Sequence, residues 1–244
     1  MYSPVKQSLV IGMLSLLPVV PTSAIDSQIN REFDSQFGKI PVTVPLGHSQ
    51  TPMDTLIEKE QRKELPRPID HSKSFLYVYA GKGSANSRYI PSGWMGDYSA
   101  IHMSDAYMDT PSHSKTCLKL TYSGERSQGF GWAGIYWQNP GNNWGGIPGG
   151  YDLRGMHRLT FWARGATGGE KINTFKVGGI QGAYCDSDSA QIGPIELTQD
   201  WRQYTIDLTS IDLSRIIGGF AWSTGGADNK GPITFYIDQI RYER

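Results

Sequence analysis

Residues 158–164 read Arg-Leu-Thr-Phe-Trp-Ala-Arg, with apolar and polar side chains in alternation. Successive side chains of a β-strand point to opposite faces of its sheet. Leu159, Phe161 and Ala163 therefore share one face, which we expect to lie in a core. The opposite face carries Trp162 between a threonine and an arginine. The alternation predicts a β-strand that is buried on one side.

Short runs of this kind continue from residue 74 to the C-terminal end of the sequence. Gly, Pro, Asn and Asp separate them, and no helical run of comparable strength lies between them. The runs are 74–79, 116–122, 131–138, 158–164, 173–177, 192–197, 202–208, 218–223 and 234–242. Short strands at this spacing, broken by turn residues, predict an all-β sandwich.

The composition changes before the first of these runs. Residues 25–72 contain no Trp or Tyr, whereas the later part holds all seven Trp of the chain. Thr51-Pro-Met-Asp54 has the proline and the acid typical of a helix start, so one short helix near 52–64 is compatible with the sequence. Such a helix cannot form a core alone. We therefore predict a tether over 25–72, with room for that helix, and a β-sandwich domain over 73–244.

The first residues have the features of a secretory signal. Met1-Tyr-Ser-Pro-Val-Lys6 precedes an apolar run from Leu9 to Val20, and small residues follow up to Ala24. The run is too short to span a bilayer, and no comparable run follows it. We expect residues 1–24 to be cleaved, the mature chain to lack a membrane span, and the protein to be secreted, periplasmic or on the cell surface. A retained amphipathic anchor or a buried helix is the alternative.

Charge and cysteine content limit the partners and the cross-links. The 23 basic and 23 acidic side chains balance, and the sequence pI is about 7.0. Because nucleic-acid binders need a basic field to displace counterions, we expect no nucleic-acid partner. An oxidising compartment would let the only cysteines, Cys117 and Cys185, form a disulfide. Since Cys117 lies in a strand-like run and Cys185 in a polar loop, two separate thiols are the other alternative.

Catalytic motifs are weak in this chain. Glycoside hydrolysis needs two suitably placed carboxylates, and Glu196, in a strand-like run past residue 72, has no second acid near it in sequence. Residues 129–134 match the letters of a dinucleotide-binding fingerprint, but a strand-like run follows where that motif needs a helix. Asp186 and Asp188 share a polar loop that lacks the oxygen spacing of a calcium loop. A catalytic pair of Asp side chains assembled across strands stays an open alternative.

Aromatic and amide side chains are concentrated in residues 131–145. Aromatic rings pack on the C–H faces of sugars, and Asn and Gln amides both donate and accept hydrogen bonds. In a regular strand Trp132 and Tyr136 share one face and Trp137 lies on the other, so only one of these sets is at the surface. The candidate glycan-binding residues are Trp94, Trp132, Tyr136, Trp137, Gln138, Asn142, Asn143 and Trp144.

Four segments together carry a resemblance to a known family. They are Pro91-Ser-Gly-Trp-Met-Gly-Asp97, Trp132-Ala-Gly-Ile-Tyr-Trp-Gln138 with Asn142-Asn-Trp-Gly145, Leu159-Thr-Phe-Trp-Ala-Arg-Gly165 and Thr234-Phe-Tyr-Ile-Asp238. They resemble the galactose-binding-like jelly-roll domains to which many carbohydrate-binding modules belong. The resemblance implies a jelly-roll β-sandwich and a structural calcium held by Asp238, with Asp97 as a second candidate ligand. A salt bridge or hydrogen bonds to loop amides are the alternative for these acids.

We therefore predict an exported, non-catalytic carbohydrate-binding module or glycan-binding surface protein, whose partner is a polysaccharide or another glycan. One alternative is a jelly-roll polysaccharide hydrolase or lyase. The other is an envelope interaction or assembly protein, which would bind a protein partner. The Asn, Gln and Gly residues among the aromatic ones favour sugar over protein, because protein interfaces prefer Met, Leu and Arg around their anchors.

Overall fold

The computed structural model describes residues 65–108 and 114–244. The predicted signal peptide at 1–24, the predicted helix near 52–64 and most of the predicted tether lie outside these residues. The described part contains fifteen strands and one turn of 3-10 helix at Tyr98–Ala100. No helix in this part is both long enough and apolar enough to cross a membrane.

The strands are β1 (Arg67–Pro68), β2 (Phe75–Tyr79), β3 (Ile90–Gly96), β4 (Ile101–Tyr107), β5 (Cys117–Tyr122), β6 (Trp132–Gln138), β7 (Tyr151–Asp152), β8 (Arg158–Gly165), β9 (Lys171–Ile172), β10 (Thr174–Gly178), β11 (Ser189–Ile192), β12 (Ile195–Glu196), β13 (Arg202–Asp207), β14 (Gly218–Gly225) and β15 (Ile233–Glu243).

Two antiparallel sheets form a sandwich. One has five strands in the order β11-β10-β14-β6-β3, and the other has six, in the order β13-β8-β15-β5-β4 with β2 also paired to β15. Both sheets have an irregular edge strand, because the pairing register shifts between Pro91 and Gly93 on β3 and between Ser104 and Tyr107 on β4. The predicted all-β sandwich is confirmed.

The inner faces of the two sheets meet in an aromatic core. The rings of Phe161 and Phe220 lie with their centroids 5.2 Å apart, and those of Trp222 and Phe235 lie 5.0 Å apart, each pair edge to face. All four side chains are fully buried. On β8, which lies between β13 and β15, the alternation predicted from the sequence places its apolar side chains in this core.

The last residues of the predicted tether pack on the sandwich. Strand β1 runs parallel to β7, with Arg67 opposite Tyr151, and the Arg67 N–H donates to the Gly150 carbonyl at 2.9 Å. Ile69 is buried in the core. The sandwich therefore includes residues on the tether side of the predicted boundary at residue 73.

The disulfide alternative is not realised in the structure. Cys117 lies fully buried on β5 within the six-stranded sheet, whereas Cys185 lies exposed in the loop between β10 and β11. The structure has no disulfide between these two cysteines.

Phe220→Ala tests the assignment of the core. The Phe220 ring contacts the rings of Trp137, Phe161 and Phe175 at centroid distances of 5.6, 5.2 and 5.9 Å. We expect the substitution to lower the free energy of unfolding by about 3 to 5 kcal/mol, measured by urea denaturation, because it leaves a cavity. Phe130→Ala, at a site that is 61% exposed, serves as control and should cost under about 0.5 kcal/mol. Equal losses in the two variants would contradict the assignment.

Candidate functional site

The candidate site is the side of the five-stranded sheet that points away from the core. Directly opposed residues of antiparallel strands point to the same face, so the strand pairing defines this surface. Lys176 lies opposite Ala221, which lies opposite Tyr136. We call this surface the outer face, formed by Met95, Trp132, Tyr136, Thr174, Lys176, Gln191, Ala221 and Ser223, with Gly93 and Gly134 between them.

Strand β6 settles which aromatic residues belong to the core. Ile135 and Trp137 are fully buried, so Trp132 and Tyr136 point to the outer face. The Trp137 ring packs against Phe220 with centroids 5.6 Å apart. The prediction that Trp137 binds a glycan is therefore wrong, because the core leaves no surface of its ring open to a ligand.

Trp144 supplies an accessible indole near the outer face. It lies in the loop after β6, is 41% exposed, and meets the Tyr136 ring edge to face with centroids 5.9 Å apart. Tyr136 is only 8% exposed, and its hydroxyl donates to the Gly178 carbonyl at 3.0 Å. Tyr136 therefore supports Trp144, and the prediction that it stacks on sugar itself is corrected by its burial.

A second aromatic edge lies at the start of β6. Trp132 is half-buried beside the exposed Phe130, with ring centroids 6.5 Å apart. Trp132 and Tyr136 are four positions apart on the strand, a distance of about 13 Å. Gly134 lies between them, and a Cβ there would lie 3.1 Å both from Met95 Cε and from Ser223 Cβ. The outer face therefore has a floor of Gly134, Ser223 and the Met95 side chain between two aromatic edges.

Two of the predicted amides hold the loop instead of facing solvent. Gln138 is fully buried; its Nε2 donates to the Asn143 carbonyl at 3.0 Å, and its Oε1 accepts from Ser92 Oγ at 2.9 Å. Asn143 is 2% exposed, and its amide bonds the Gly145 N–H and the Ile147 carbonyl at 3.0 and 2.8 Å. The prediction that these two residues bind sugar is wrong, since their amides bond the chain itself.

The last two predicted binding residues are exposed but lie in different places. Trp94 is opposite Ile135, so it points to the core side of the sheet, and it is 36% exposed only because β3 is an edge strand. It does not share the outer face with Trp132, which corrects its assignment. Asn142 is exposed next to Trp144, in the left-handed conformation with φ of 58°.

The sequence analysis missed several residues of the outer face. Thr174 and Lys176 on β10, Ser223 on β14 and Gln191 on β11 add hydroxyl, ammonium and amide groups. The alternation along β10 and β14 was a usable signal, but nothing in the local sequence showed that these strands lie beside β6. Tyr184, on the loop after β10, packs on the outer-face cluster around Tyr136.

A buried carboxylate lies at the end of the outer face. Asp186 Oδ2 accepts from the Ile180 N–H at 2.9 Å, Oδ1 accepts from the Ile217 N–H, and both oxygens lie 3.3 Å from the Gly218 nitrogen. Burial raises the pKa of Asp186 to about 6, because the three backbone N–H groups and the charge of Lys176 offset the loss of hydration only in part.

Asp97, a predicted calcium ligand, is buried and bonded to a loop. Its Oδ1 accepts from the N–H groups of Gln128 and Phe130 at 2.8 and 3.0 Å, and its Oδ2 accepts from that of Gly131 at 2.5 Å. Burial alone would raise the pKa of Asp97, but these N–H groups outweigh it and hold the pKa below its ordinary value. N–H donors around both oxygens do not fit a cation, so the hydrogen-bonding alternative describes Asp97.

Asp238, the other predicted ligand, is buried on β15. Its Oδ1 accepts from Ser114 Oγ at 2.6 Å and from the Gln239 N–H at 2.8 Å. Across residues 65–108 and 114–244, no group of three or more His, Cys, Asp or Glu side chains is arranged to hold a metal ion. Calcium binding by this protein stays a prediction, with no ligand assigned.

Two cavities lie elsewhere on the molecule. One, of about 760 Å³, is lined by Leu65, Pro66, Pro68, Asp152, Arg154, Cys185, Ser187, Ser214 and Arg215. The other, of about 490 Å³, lies between loops 166–171 and 228–234. Neither is lined by an outer-face residue. A sheet face suits an extended ligand better than an enclosed small molecule.

No protein-family model and no curated protein matches this sequence. Among solved structures, a family 30 carbohydrate-binding module has a similar fold, with a TM-score of 0.48, 14% identity, and coverage of 69% of this chain and 87% of that chain. The family 30 module of a cellulosomal cellulase of Clostridium thermocellum gives a TM-score of 0.47, 14% identity and coverage of 69% and 96%.

A family 11 carbohydrate-binding module from Clostridium thermocellum, in complex with a β-1,3-1,4-mixed-linked tetrasaccharide, gives a TM-score of 0.45, 13% identity and coverage of 69% and 95%. These modules are similar to this chain in fold alone.

The pKa of Asp186 predicts a pH dependence of stability. The carboxyl has a pKa of about 6 in the folded protein and about 4 in an unfolded chain. The folded state holds the proton more tightly than the unfolded chain does. The protonated Asp186 carboxyl therefore contributes fully to stability below about pH 4, and this contribution is lost as the pH rises through 6.

Urea denaturation of wild type and Asp186→Asn at pH 4 and pH 7 measures this effect. The free energy of unfolding of wild type, relative to that of Asp186→Asn, should fall by on the order of 3 kcal/mol between pH 4 and pH 7. A difference that is the same at both pH values would show an ordinary pKa for Asp186.

Proposed function

We propose that this protein is a non-catalytic glycan-binding module whose outer face binds an extended polysaccharide chain. The observation that carries the proposal is the pair of indoles, half-buried Trp132 and exposed Trp144, at the two edges of the floor. The floor between them combines Gly134 and short or polar side chains with the Met95 side chain.

The proposed mode of binding combines stacking with hydrogen bonds. A pyranose ring packs its C–H face on the Trp144 indole, which buries apolar surface of both partners. The hydroxyl groups of the next sugars meet Ser223, Thr174 and Lys176, side chains that donate or accept hydrogen bonds. The polysaccharide chain crosses the sheet between Trp132 and Trp144, over Gly134 and the neighbouring Met95 and Ser223 side chains.

The acids of this region support binding over the hydrolase or lyase alternative. The outer-face positions on strands β3, β6, β10, β11 and β14 include no Asp or Glu. Asp186, at the end of this face, is buried, and both of its oxygens accept backbone N–H groups. Glu196 pairs through β12 with β9, outside the five-stranded sheet. An acid and base pair at defined separation, as glycoside hydrolysis requires, is not offered by these strand residues.

The chemistry of the floor also favours a glycan over a protein partner. The centre of a protein interface is apolar and poor in charge. Here Lys176, Ser223 and Thr174 lie within the face, and each is half-buried. Their polar groups match a hydroxylated ligand better than a packed apolar patch.

We also propose that the protein is exported, on the basis of the signal-like residues 1–24. Export would bring the outer face into contact with extracellular or periplasmic polysaccharide. Mass spectrometry of the N-terminus of the mature protein, purified from the compartment in which it accumulates, tests this proposal.

Trp144→Ala tests the stacking contact. With a β-1,3-1,4-mixed-linked tetrasaccharide and its parent polymer as probes, calorimetry should show an affinity loss of about 1 to 2 kcal/mol, or about fivefold to thirtyfold in Kd. Trp94→Ala is the matched control, because Trp94 is similarly exposed but lies off the outer face. Unchanged affinity in Trp144→Ala, or equal losses in both variants, would argue against the outer face as the site.

Long incubation with the bound polysaccharide separates a module from an enzyme. We expect the polymer to be retained without release of reducing ends or unsaturated products, because the strand residues of the outer face supply no catalytic acid pair. Reducing-end assays and ultraviolet absorbance of the supernatant measure this. Turnover by wild type that disappears in Glu196→Gln would establish the hydrolase or lyase alternative.

A further inference from the structure

We infer that Asp186 is a positioning residue of the outer face: its buried carboxylate holds loop 180–186 in the form that fixes Trp144. The expected effect on glycan binding rests on the proposed function. We call the Asp186 hydrogen bonds within loop 180–186 and to the sheet the clamp. The clamp does not rest on the proposed function, since each contact is between this chain's own atoms.

The first part of the clamp closes the loop on itself. The Asp186 N–H donates to the Ile180 carbonyl at 2.8 Å, and the Ile180 N–H donates back to Asp186 Oδ2 at 2.9 Å. Residues 180 and 186 are thereby joined in both directions. The five residues between them are held as one compact loop.

The second part of the clamp fastens this loop to the sheet. Asp186 Oδ1 accepts from the Ile217 N–H, and the Gly218 nitrogen lies 3.3 Å from both carboxylate oxygens. Gly218 begins β14, the strand that pairs with β6 beneath the outer face. Because Asp186 is 7% exposed, water does not replace these N–H partners.

The clamped loop in turn holds the backbone next to Trp144. The Tyr184 N–H donates to the Gly145 carbonyl at 2.9 Å. The two backbones are so close that a Cβ on Gly145 would lie 1.9 Å from the Gln181 carbonyl oxygen. Residue 145 follows Trp144 directly, so a shift of loop 180–186 moves the indole away from its edge contact with Tyr136.

A carboxylate suits this position better than an amide. The N–H groups of Ile180, Ile217 and Gly218 all point at Asp186 and need acceptor oxygens. Asparagine has one acceptor oxygen, and its NH₂ group would face at least one of these donors. Asp186→Asn therefore opens the clamp with almost no change in side-chain volume.

Asp188→Asn is the matched control. Asp188 lies two residues further on, is exposed, and accepts from the N–H groups of Ser189 and Asp212 at 2.7 and 3.3 Å. Neither of these partners belongs to loop 143–147. The same chemical change there leaves the clamp intact.

Amide hydrogen exchange and calorimetry on the full chain test the inference. In wild type, the Ile180, Ile217 and Gly218 amides should exchange as slowly as those of β14. In Asp186→Asn, exchange at Ile180 and Tyr184 should rise at least tenfold, the Kd for the mixed-linked tetrasaccharide should rise about tenfold, and exchange in β15 should not change. Asp188→Asn should match wild type in each measurement.

Three results would overturn the inference. They are fast exchange at Ile180 and Ile217 in wild type, unchanged loop exchange and affinity in Asp186→Asn, and accelerated exchange throughout β15 in that variant, which would make Asp186 a general stability residue. If wild type binds no glycan, the proposed function fails by itself. Amide hydrogen exchange in loop 180–186 then still shows whether Asp186 holds that loop.

Discussion

The alternation of side chains along β6 is the constraint on which the outer face depends. β6 lies between β3 and β14, and it sends Ile135 and Trp137 into the core. A slip of one residue in its pairing would exchange the two faces and expose the core side chains to water. The apolar packing of Trp137 therefore fixes the outward direction of Trp132. The proposed site is a consequence of how the core is filled.

Buried polar side chains hold the loops around that sheet in place. Gln138, Asn143, Asp97 and Asp186 are all buried, and each bonds backbone atoms of a loop. A buried polar group without a partner is costly, so such residues restrain their loops strongly. Irregular segments beside the sheet thus acquire a defined form without helices. Amides that look suited to sugar recognition are thus engaged within the protein.

The sequence predicted the fold better than the site. Alternation in residues 158–164 was sufficient for a strand, because one face was clearly apolar, and the spacing of similar runs indicated the sandwich. In β6 both faces carry aromatic residues, so alternation alone left the surface set undecided. Trp144, a candidate binding residue, is exposed in its loop, whereas Lys176 and Ser223 were missed. Their place beside β6 follows from pairing between strands distant in sequence, which local patterns do not encode.

The irregular edge strands β3 and β4 limit pairing between molecules that lie close together. Unpaired backbone groups along a straight edge strand can recruit the edge of another molecule and extend the sheet. Pro91 lacks an N–H, and the register shift that follows it bends β3; the shift between Ser104 and Tyr107 does the same for β4. Copies gathered closely along one polymeric ligand would therefore not extend one another's sheets through β3 or β4.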